Sequence, residues 1–326
     1  MLSAPRLRLL LSLLLVPASG CLSRKVDIVP YLAPATTPSL EELVSDINRF
    51  QTVRSLVLRV DLQFETVEAV EQGRGRQYRT AQGRLLLARP SSIRLNIEAP
   101  ILSADIAEMA SNGARFQLLI HPAEYRALIE GTNGARYETE VEKLNDDAEL
   151  KKAGPLVNIR PQHFTEAFLI SPIDEERGDL ALLSEERVVE PDGRPAAKKD
   201  ARVRKSYSIV TTGKRGEPAV THRYWFDRTG EPRLARQQVY DRDGALIANI
   251  TYTAYLPPDP ETGVQLPSRV RIERPREDYT LSLTVKPDGV QVNRALPESA
   301  FVLTPPESWR DTLRRIDLDE RARSRP

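Results

Sequence analysis

The chain has 326 residues, 47 basic and 46 acidic, for a formal charge of +1. That balance supplies no overall field to gather a nucleic-acid backbone, so nucleic acid is excluded as an expected partner. A single cysteine excludes an internal disulfide, and a chain of this length can bury its core without such staples, as one large domain or two.

The first twenty residues read as a secretory signal. Arg6 and Arg8 form its positive end, Leu9 to Val16 its apolar centre, and Pro17 to Gly20 its small-residue close. The apolar centre is far shorter than the ~20 residues of a membrane-spanning helix, so residues 1–20 are expected to be cut off between Gly20 and Cys21. Ala18-Ser19-Gly20-Cys21 resembles a bacterial lipobox, which implies that the Cys21 thiol is joined to diacylglycerol and its new amino terminus acylated. Several acyl chains anchor stably where one binds only marginally. Downstream of Val16 no stretch has the apolar length of a bilayer span, so a folded body on a lipid tether is expected.

Residues 21–38, with Pro30, Pro34 and Pro38 among small and polar neighbours, have the composition of an extended, flexible tether. Ser39-Leu40-Glu41-Glu42 is a capping-box signature, and Leu40, Leu43, Val44 and Ile47 share one face of the helix it would start. The apolar period then changes to 2. Leu56, Leu58, Val60, Leu62 and Phe64 alternate with Val57, Arg59, Asp61, Gln63 and Glu65, which predicts a long strand with one dry and one wet face. The pattern returns at Gly83-Leu85-Leu87, Ile93-Leu95-Ile97, Phe116-Leu118-Ile120 and Tyr125-Ala127-Ile129, with Arg89-Pro90-Ser91 and Ser111-Asn112-Gly113 as turns, predicting an antiparallel meander.

Residues 138 to 190 are expected to interrupt the strands. Glu140 to Ala153 is highly charged, and Pro161 to Leu169 reads as a helix with Phe164, Phe168 and Leu169 on its apolar side. Residues 190 to 202 have loop composition, so an insert over about 138–202 is expected. Strands resume at Val203 and run to Val292, broken at Asp227-Arg228-Thr229-Gly230, Asp241-Arg242-Asp243-Gly244, Pro257 to Pro260 and Lys286-Pro287-Asp288-Gly289, where glycine can take the positive φ of a tight turn. About ten or eleven strands in all suffice to curl one antiparallel sheet into a barrel-like cup. The fold class expected is mainly β with α: a single curled sheet, an incomplete half-open barrel covered by helices, over residues 39–304. The tail, 305–326, with Trp309, Leu313 and Ile316 at helical spacing, is either a docked terminal helix or a disordered end.

No recognisable catalytic motif appears. His121, His163 and His222 are scattered without metal-ligand spacing and read as core or surface histidines. Asp241, Asp243 and Gly244 lack the remaining ligands of a calcium loop, and a turn accounts for them. No Gly-x-Ser-x-Gly elbow or glycine-rich phosphate loop is present, and Asp174-Glu175-Glu176 and Glu185-Glu186 read as solvated faces. Neither an enzyme, nor a metal site, nor a cofactor beyond covalent lipid is expected. The alternating rows, including Leu58, Val60, Leu62, Phe64, Leu85, Leu87 and Leu95, would line an apolar cavity suited to acyl chains, or equally fill an ordinary barrel core.

The helix Leu40 to Phe50, the strand Leu56 to Phe64, the phrases Gly83 to Leu87 and Arg89 to Leu95, Ser111-Asn112-Gly113, Trp225 to Arg228, Tyr240-Asp241 and Leu266 to Val270 together resemble the LolA/LolB-like family of bacterial lipoprotein carriers and outer-membrane receptors. The resemblance spans most of residues 39 to 304. It implies an incomplete barrel closed by helices, an apolar cup for a fatty acid or lipoprotein acyl chain, and, given the lipobox, a receptor-like lipoprotein of the envelope. Leu40, Leu43, Val44, Ile47, Phe164 and Phe168 would then form the lid. Pro100-Ile101-Leu102-Ser103 occupies the place of the receptor's membrane-contacting loop, so Ile101 and Leu102 are either a projecting apolar tip or a buried strand continuation. Leu22 follows Cys21 where an aspartate would signal inner-membrane retention, so an outer-membrane position facing the periplasm, with an envelope protein as possible partner, is expected. A sensor or assembly scaffold on the same fold is the alternative.

Overall fold

A computed structural model of the chain describes residues 29–30, 32, 37–66, 81–99, 104–135, 137, 140, 143–144, 146–150, 156–194, 197–198, 200–217, 219–277 and 279–324. Gly20, Cys21, Ile101 and Leu102 lie outside the described residues. Two compact units divide the chain, one of Leu32–Val188 and Lys205–Pro326, the other of Met1–Tyr31 and Val189–Arg204.

In the larger unit helix α1 (Leu40–Arg49) starts where the sequence predicts. Ser39 Oγ accepts from the Glu42 amide at 3.2 Å and the Glu42 carboxylate accepts from the Ser39 amide at 2.8 Å, satisfying two amides that the first turn would leave unpaired. Leu43 and Ile47 are buried, with Leu40 and Val44 packed partly exposed on the same core.

The described strands are β1 (Ser55–Thr66), β2 (Ala81–Ala88), β3 (Ser92–Glu98), β4 (Asp105–Ser111), β5 (Arg115–Ile120), β6 (Ala127–Thr132), β7 (Asp179–Pro191), β8 (Arg202–Lys214), β9 (Val220–Asp227), β10 (Arg233–Tyr240), β11 (Leu246–Tyr255), β12 (Pro267–Arg274), β13 (Tyr279–Val285), β14 (Gln291–Val292) and β15 (Arg314–Asp317). They form one curled sheet in the order β15-β6-β5-β4-β3-β2-β1-β13-β12-β11-β10-β9-β8-β7, with β14 beside β1. The sheet is open, ending at β15 on one side and β7 on the other. This is the half-open arrangement with few helices that the resemblance implies.

Register explains why the period-2 rows fold this way. Leu58 faces Leu85, which faces Leu95, then Met109, Leu118 and Ile129, so one apolar residue from each of six strands lies in a single row. On the other side of β1, Leu62 pairs with Leu283, which pairs with Val270, and Val270 with Tyr252. A one-residue slip would turn each strand's row to water, and a buried aliphatic side chain is worth roughly 1.5–3 kcal/mol, so the register is strongly determined. Gly83 permits the close approach of three strands: a Cβ there would stand 2.7 Å from Leu62 Cδ1 and 2.9 Å from the Asn96 carbonyl oxygen.

Several expected elements differ. The described residues hold fifteen strands, not ten or eleven. Residues 138 to 190 do not interrupt the sheet throughout, because β7 begins at Asp179. Its alternation is disguised: Leu180 and Leu182 are on the exposed side, and Glu185-Glu186-Arg187 breaks the apolar pattern. Tyr125 belongs to a short 3-10 turn, Ala123–Tyr125, and the strand starts at Ala127. The tail is docked, as expected of one of the two alternatives, but Trp309, Leu313 and Ile316 lie outside its helix, which starts only at Leu318, itself buried in the core. Leu313 and Trp309 pack on Ala110, Leu119, Leu128 and Leu303 outside the core, Ile316 joins β15 parallel to β6, and a short helix α3 (Leu318–Arg323) follows. Only the partner strand creates β15, which is too short to announce itself by periodicity.

In the smaller unit the Asp192 amide donates to the Ala201 carbonyl at 2.8 Å, and the Arg204 amide to the Pro30 carbonyl at 2.9 Å.

Candidate ligand site

Helix α2 (Gln162–Phe168) follows Pro161 as the sequence predicts, and buries His163, Phe164, Thr165, Ala167 and Phe168. Phe164 and Phe168 join α1's Leu43 and Ile47 in one apolar cluster with Leu58, Val60, Leu62, Phe64, Leu85, Leu87 and Leu95. The structure therefore brings together all the residues expected in the cup and its lid, eleven of them buried and Leu40 and Val44 at the margin. The strand rows and helices pack against one another directly.

Both helices are tied at their C-terminal ends, where carbonyls lack intrahelical partners. The Arg89 guanidinium, from the turn between β2 and β3, donates to the carbonyls of Phe50 at 2.9 Å and Val53 at 3.0 Å after α1, and to those of Leu169 at 3.3 Å and Ile170 at 3.0 Å after α2. Asn48 forms a two-way bond with Ile173, its amide nitrogen donating at 2.9 Å and its carbonyl oxygen accepting at 2.8 Å. From beneath, the Tyr252 hydroxyl donates to the Ala167 carbonyl at 2.9 Å.

A polar group lies under α2. His163 Nδ1 accepts from the Arg160 amide at 3.2 Å and contacts the Tyr279 hydroxyl, which assigns the proton of the neutral ring to Nε2. That nitrogen is 3.7 Å from Glu277 Oε1. Burial first, and the Arg274 charge second, pull the imidazole pKa down to about 3, so it is neutral at physiological pH. Burial pushes the Glu277 carboxyl up, but the neighbouring His163 ring and the Arg274 guanidinium outweigh it and hold it at about 2. Arg274, nearly fully buried, also reaches Glu166 at 3.2 Å. The ion pairs of Arg274 with Glu166 and Glu277 and the contact of Tyr279 with His163 seat the helix against β12 and β13, while His163 Nε2 has no hydrogen-bond partner among the described residues.

Beside α1 opens a cleft of about 390 Å³. Ile47 and Phe50 form one wall, Phe226, Leu234, Tyr255 and Val264 the other, and Asp46, Arg49, Glu231 and Arg233 stand among its polar lining residues. Partial burial raises the Asp46 pKa, against the pull of Arg49. Of the expected cup and lid residues, Ile47 is the one that also lines this cleft. Sequence reasoning missed the other five apolar wall residues and Arg89. Phe50, Arg89 and Phe226 lie in the segments Leu40 to Phe50, Arg89 to Leu95 and Trp225 to Arg228 that carry the family resemblance, but a turn arginine gives no sign of which carbonyls it reaches.

The other singled-out residues have local explanations. Asp241 accepts from the Asp243 and Ala245 amides at 3.0 and 2.9 Å and pairs with Arg276, as a turn aspartate. Glu185 pairs with Arg228, and Glu186 accepts from the Trp225 indole at 2.9 Å. His222 stacks on Tyr224.

No protein-family model matches the chain, and no curated protein matches its sequence. Among solved structures, a LolA superfamily protein from Nitrosomonas europaea is 10% identical with a TM-score of 0.41, over 79% of this chain and 96% of that one. A DUF1329 family protein from Desulfovibrio piger is 14% identical with a TM-score of 0.44, over 80% of this chain and 94% of that one. A putative outer membrane lipoprotein-sorting protein domain from Vibrio parahaemolyticus is 9% identical with a TM-score of 0.38, over 79% and 94%. These are likenesses of chain trace, and no residue's role is carried over from them.

Proposed function

We propose that this chain is a membrane-tethered carrier or receptor that accepts a lipid or lipoprotein acyl chain between the sheet and helices α1 and α2. The observation that carries the reading is Arg89: one side chain fastens the ends of both helices over an apolar interior, beside a cleft of about 390 Å³. Ligand pockets span about 300–1,000 Å³. Because the interior is packed, an acyl chain would enter from the cleft and displace helix side chains from the inner face. Backbone bonds to a single arginine can be exchanged without unpairing any strand. Cys21 would supply the lipid anchor, residues 21–38 the tether, and Ile101 with Leu102 the tip that meets the membrane. The position is the outer membrane facing the periplasm, with an envelope protein as donor or acceptor of the cargo. The role is binding and transfer, without a catalytic step.

Native mass spectrometry of the full-length protein in detergent, with titration of a fluorescent fatty acid, tests the reading. Co-purifying acyl species and binding weakened about tenfold by Phe50→Glu are expected. An empty protein that takes up no fatty acid refutes it. Fractionation checks the anchor separately: Cys21→Ser protein should leave the membrane fraction.

A second reading, a scaffold that binds a protein and moves no lipid, is favoured by one observation. Leu180 and Leu182, 48% and 67% exposed, stand on the terminal strand β7, where a partner could add to the sheet edge.

A further inference from the structure

Asp105 and Glu108 are three apart on β4, so plain alternation would send their side chains to opposite faces of the sheet. They share a face because the β3–β4 register shifts: Ile97 pairs with Ala107, but Glu98 pairs with Asp105, leaving Ile106 as an extra residue. Such a bulge re-aims a side chain. Asp105 thereby lies opposite Glu98 and Glu108 opposite Asn96, all on the outer face. His121, directly after β5, is fixed beside them by its amide, which donates to the Ile106 carbonyl at 3.0 Å.

The three side chains converge. One ligand atom from each of Asp105, Glu108 and His121 lies within 4.8 Å of the others. His121 Nε2 is 3.1 Å from Glu108 Oε1 but out of hydrogen-bond alignment with it, and this buried nitrogen has no hydrogen-bond partner among the described residues. Two atoms bound to one tetrahedral ion at about 2.0 Å stand roughly 3.3 Å apart, close to that separation. Partners outside the trio hold the carboxylates: Arg94 binds the other oxygen of Glu108, and the Asn96 amide approaches Asp105 Oδ1 at 3.4 Å. Trp309 packs edge-on against the imidazole, its ring centroid 5.1 Å away. Asp105 is exposed, which leaves one side open to solvent.

We infer that Asp105, Glu108 and His121 form a binding site for one divalent transition-metal ion of the Zn²⁺ class. An imidazole with two carboxylates suits such an ion better than Ca²⁺ or Mg²⁺, which take all-oxygen sets. Three protein ligands leave a fourth position for water. Bound there, the ion ties the first residues of β4 to the end of β5, beside the C-terminal segment that Trp309 belongs to. The site is on the outer face, apart from the acyl-chain cleft, and stands or falls independently of the proposed function.

The test uses full-length protein in detergent, treated with EDTA, dialysed, and titrated with Zn²⁺ alone by calorimetry. One equivalent should bind, with affinity lowered at least tenfold in Asp105→Asn and in His121→Gln, and Zn²⁺ should raise the melting temperature of the wild type but not of Asp105→Asn. Absence of stoichiometric binding, or equal affinity in the wild type and Asp105→Asn, overturns the site. Asp105 is exposed, so that variant decides the question even if His121→Gln fails to fold.

Discussion

Arg89 donates to the Ile170 carbonyl at 3.0 Å, so a residue of the β2–β3 turn fastens the chain just beyond α2. The same guanidinium holds the Phe50 carbonyl at 2.9 Å. Replacing it by leucine leaves four partly buried carbonyls without this donor while disturbing no strand. Each hydrogen bond to a charged group is worth about 1.5–3 kcal/mol. Because the four share one donor, a total loss of roughly 3–5 kcal/mol is expected for Arg89→Leu by urea unfolding. Hydrogen exchange should rise in α1 and α2 before the sheet, and equal protection in the variant and wild type would show that Arg89 does not hold the helices.

Phe168 is buried in the shared core beneath the end of α2. Phe168→Ala should cost about 3–5 kcal/mol, as for other aromatic truncations in packed interiors. Calorimetric melting checks this. A loss below about 1 kcal/mol would mean that Phe168 lines space already open to a ligand. Phe168→Asp, if it folds, should in addition weaken fatty-acid retention, since it places a charge against the apolar inner face.

His163 makes stability depend on pH. Its folded pKa, about 3, lies below the 6.5 of an unperturbed imidazole. Above 6.5 both states are neutral there and the contribution is constant. As pH falls through 6.5 the unfolded chain takes up a proton that the folded chain refuses, so stability drops by up to about 1.4 kcal/mol per pH unit until the folded pKa is reached. At pH 5 the loss from this residue is about 2 kcal/mol. Unfolding free energies between pH 7 and 5 should fall less steeply in His163→Gln than in the wild type, whatever the variant's stability at pH 7. Parallel slopes would remove His163 from the account. Glu277, held near 2, adds a further loss below its ordinary range near 4.5.

The proposed function gives Ile101 and Leu102 the membrane-contacting tip, the alternative being a buried strand continuation. Replacing both by serine should change the unfolding free energy by no more than about 0.5 kcal/mol, as surface substitutions do, and lower transfer of a lipidated cargo to liposomes. A large fall in melting temperature would assign both to the core, where each truncation costs about 2–5 kcal/mol.

The sequence by itself determined the elements whose signal is local. Ser39 and Glu42 announce α1 because a capping box needs only four consecutive residues. Leu56 to Phe64 announces β1 because one face is dry and the other largely wet, and Asp241 to Gly244 announces its turn because glycine takes the positive φ, here 77° at Gly244. From such elements the curled, helix-covered sheet was legible, as was the set of apolar residues that meet inside it.

What only the tertiary structure decided are relationships between distant residues. β15 exists because β6 offers it an edge, and β7 escapes periodicity because Leu180 and Leu182 face outward. The reach of Arg89 to four carbonyls depends on two helices ending at the same turn, and the cleft on Phe50 standing across from Leu234 and Val264. Asp105, Glu108 and His121 have no metal-ligand spacing in sequence. They converge because a one-residue register shift turns Asp105 to the face of Glu108, and strand pairing then sets His121 beside them. Local chemistry is written in neighbouring residues, whereas register and long-range donors arise only once the strands have paired and the sheet has curled around its core.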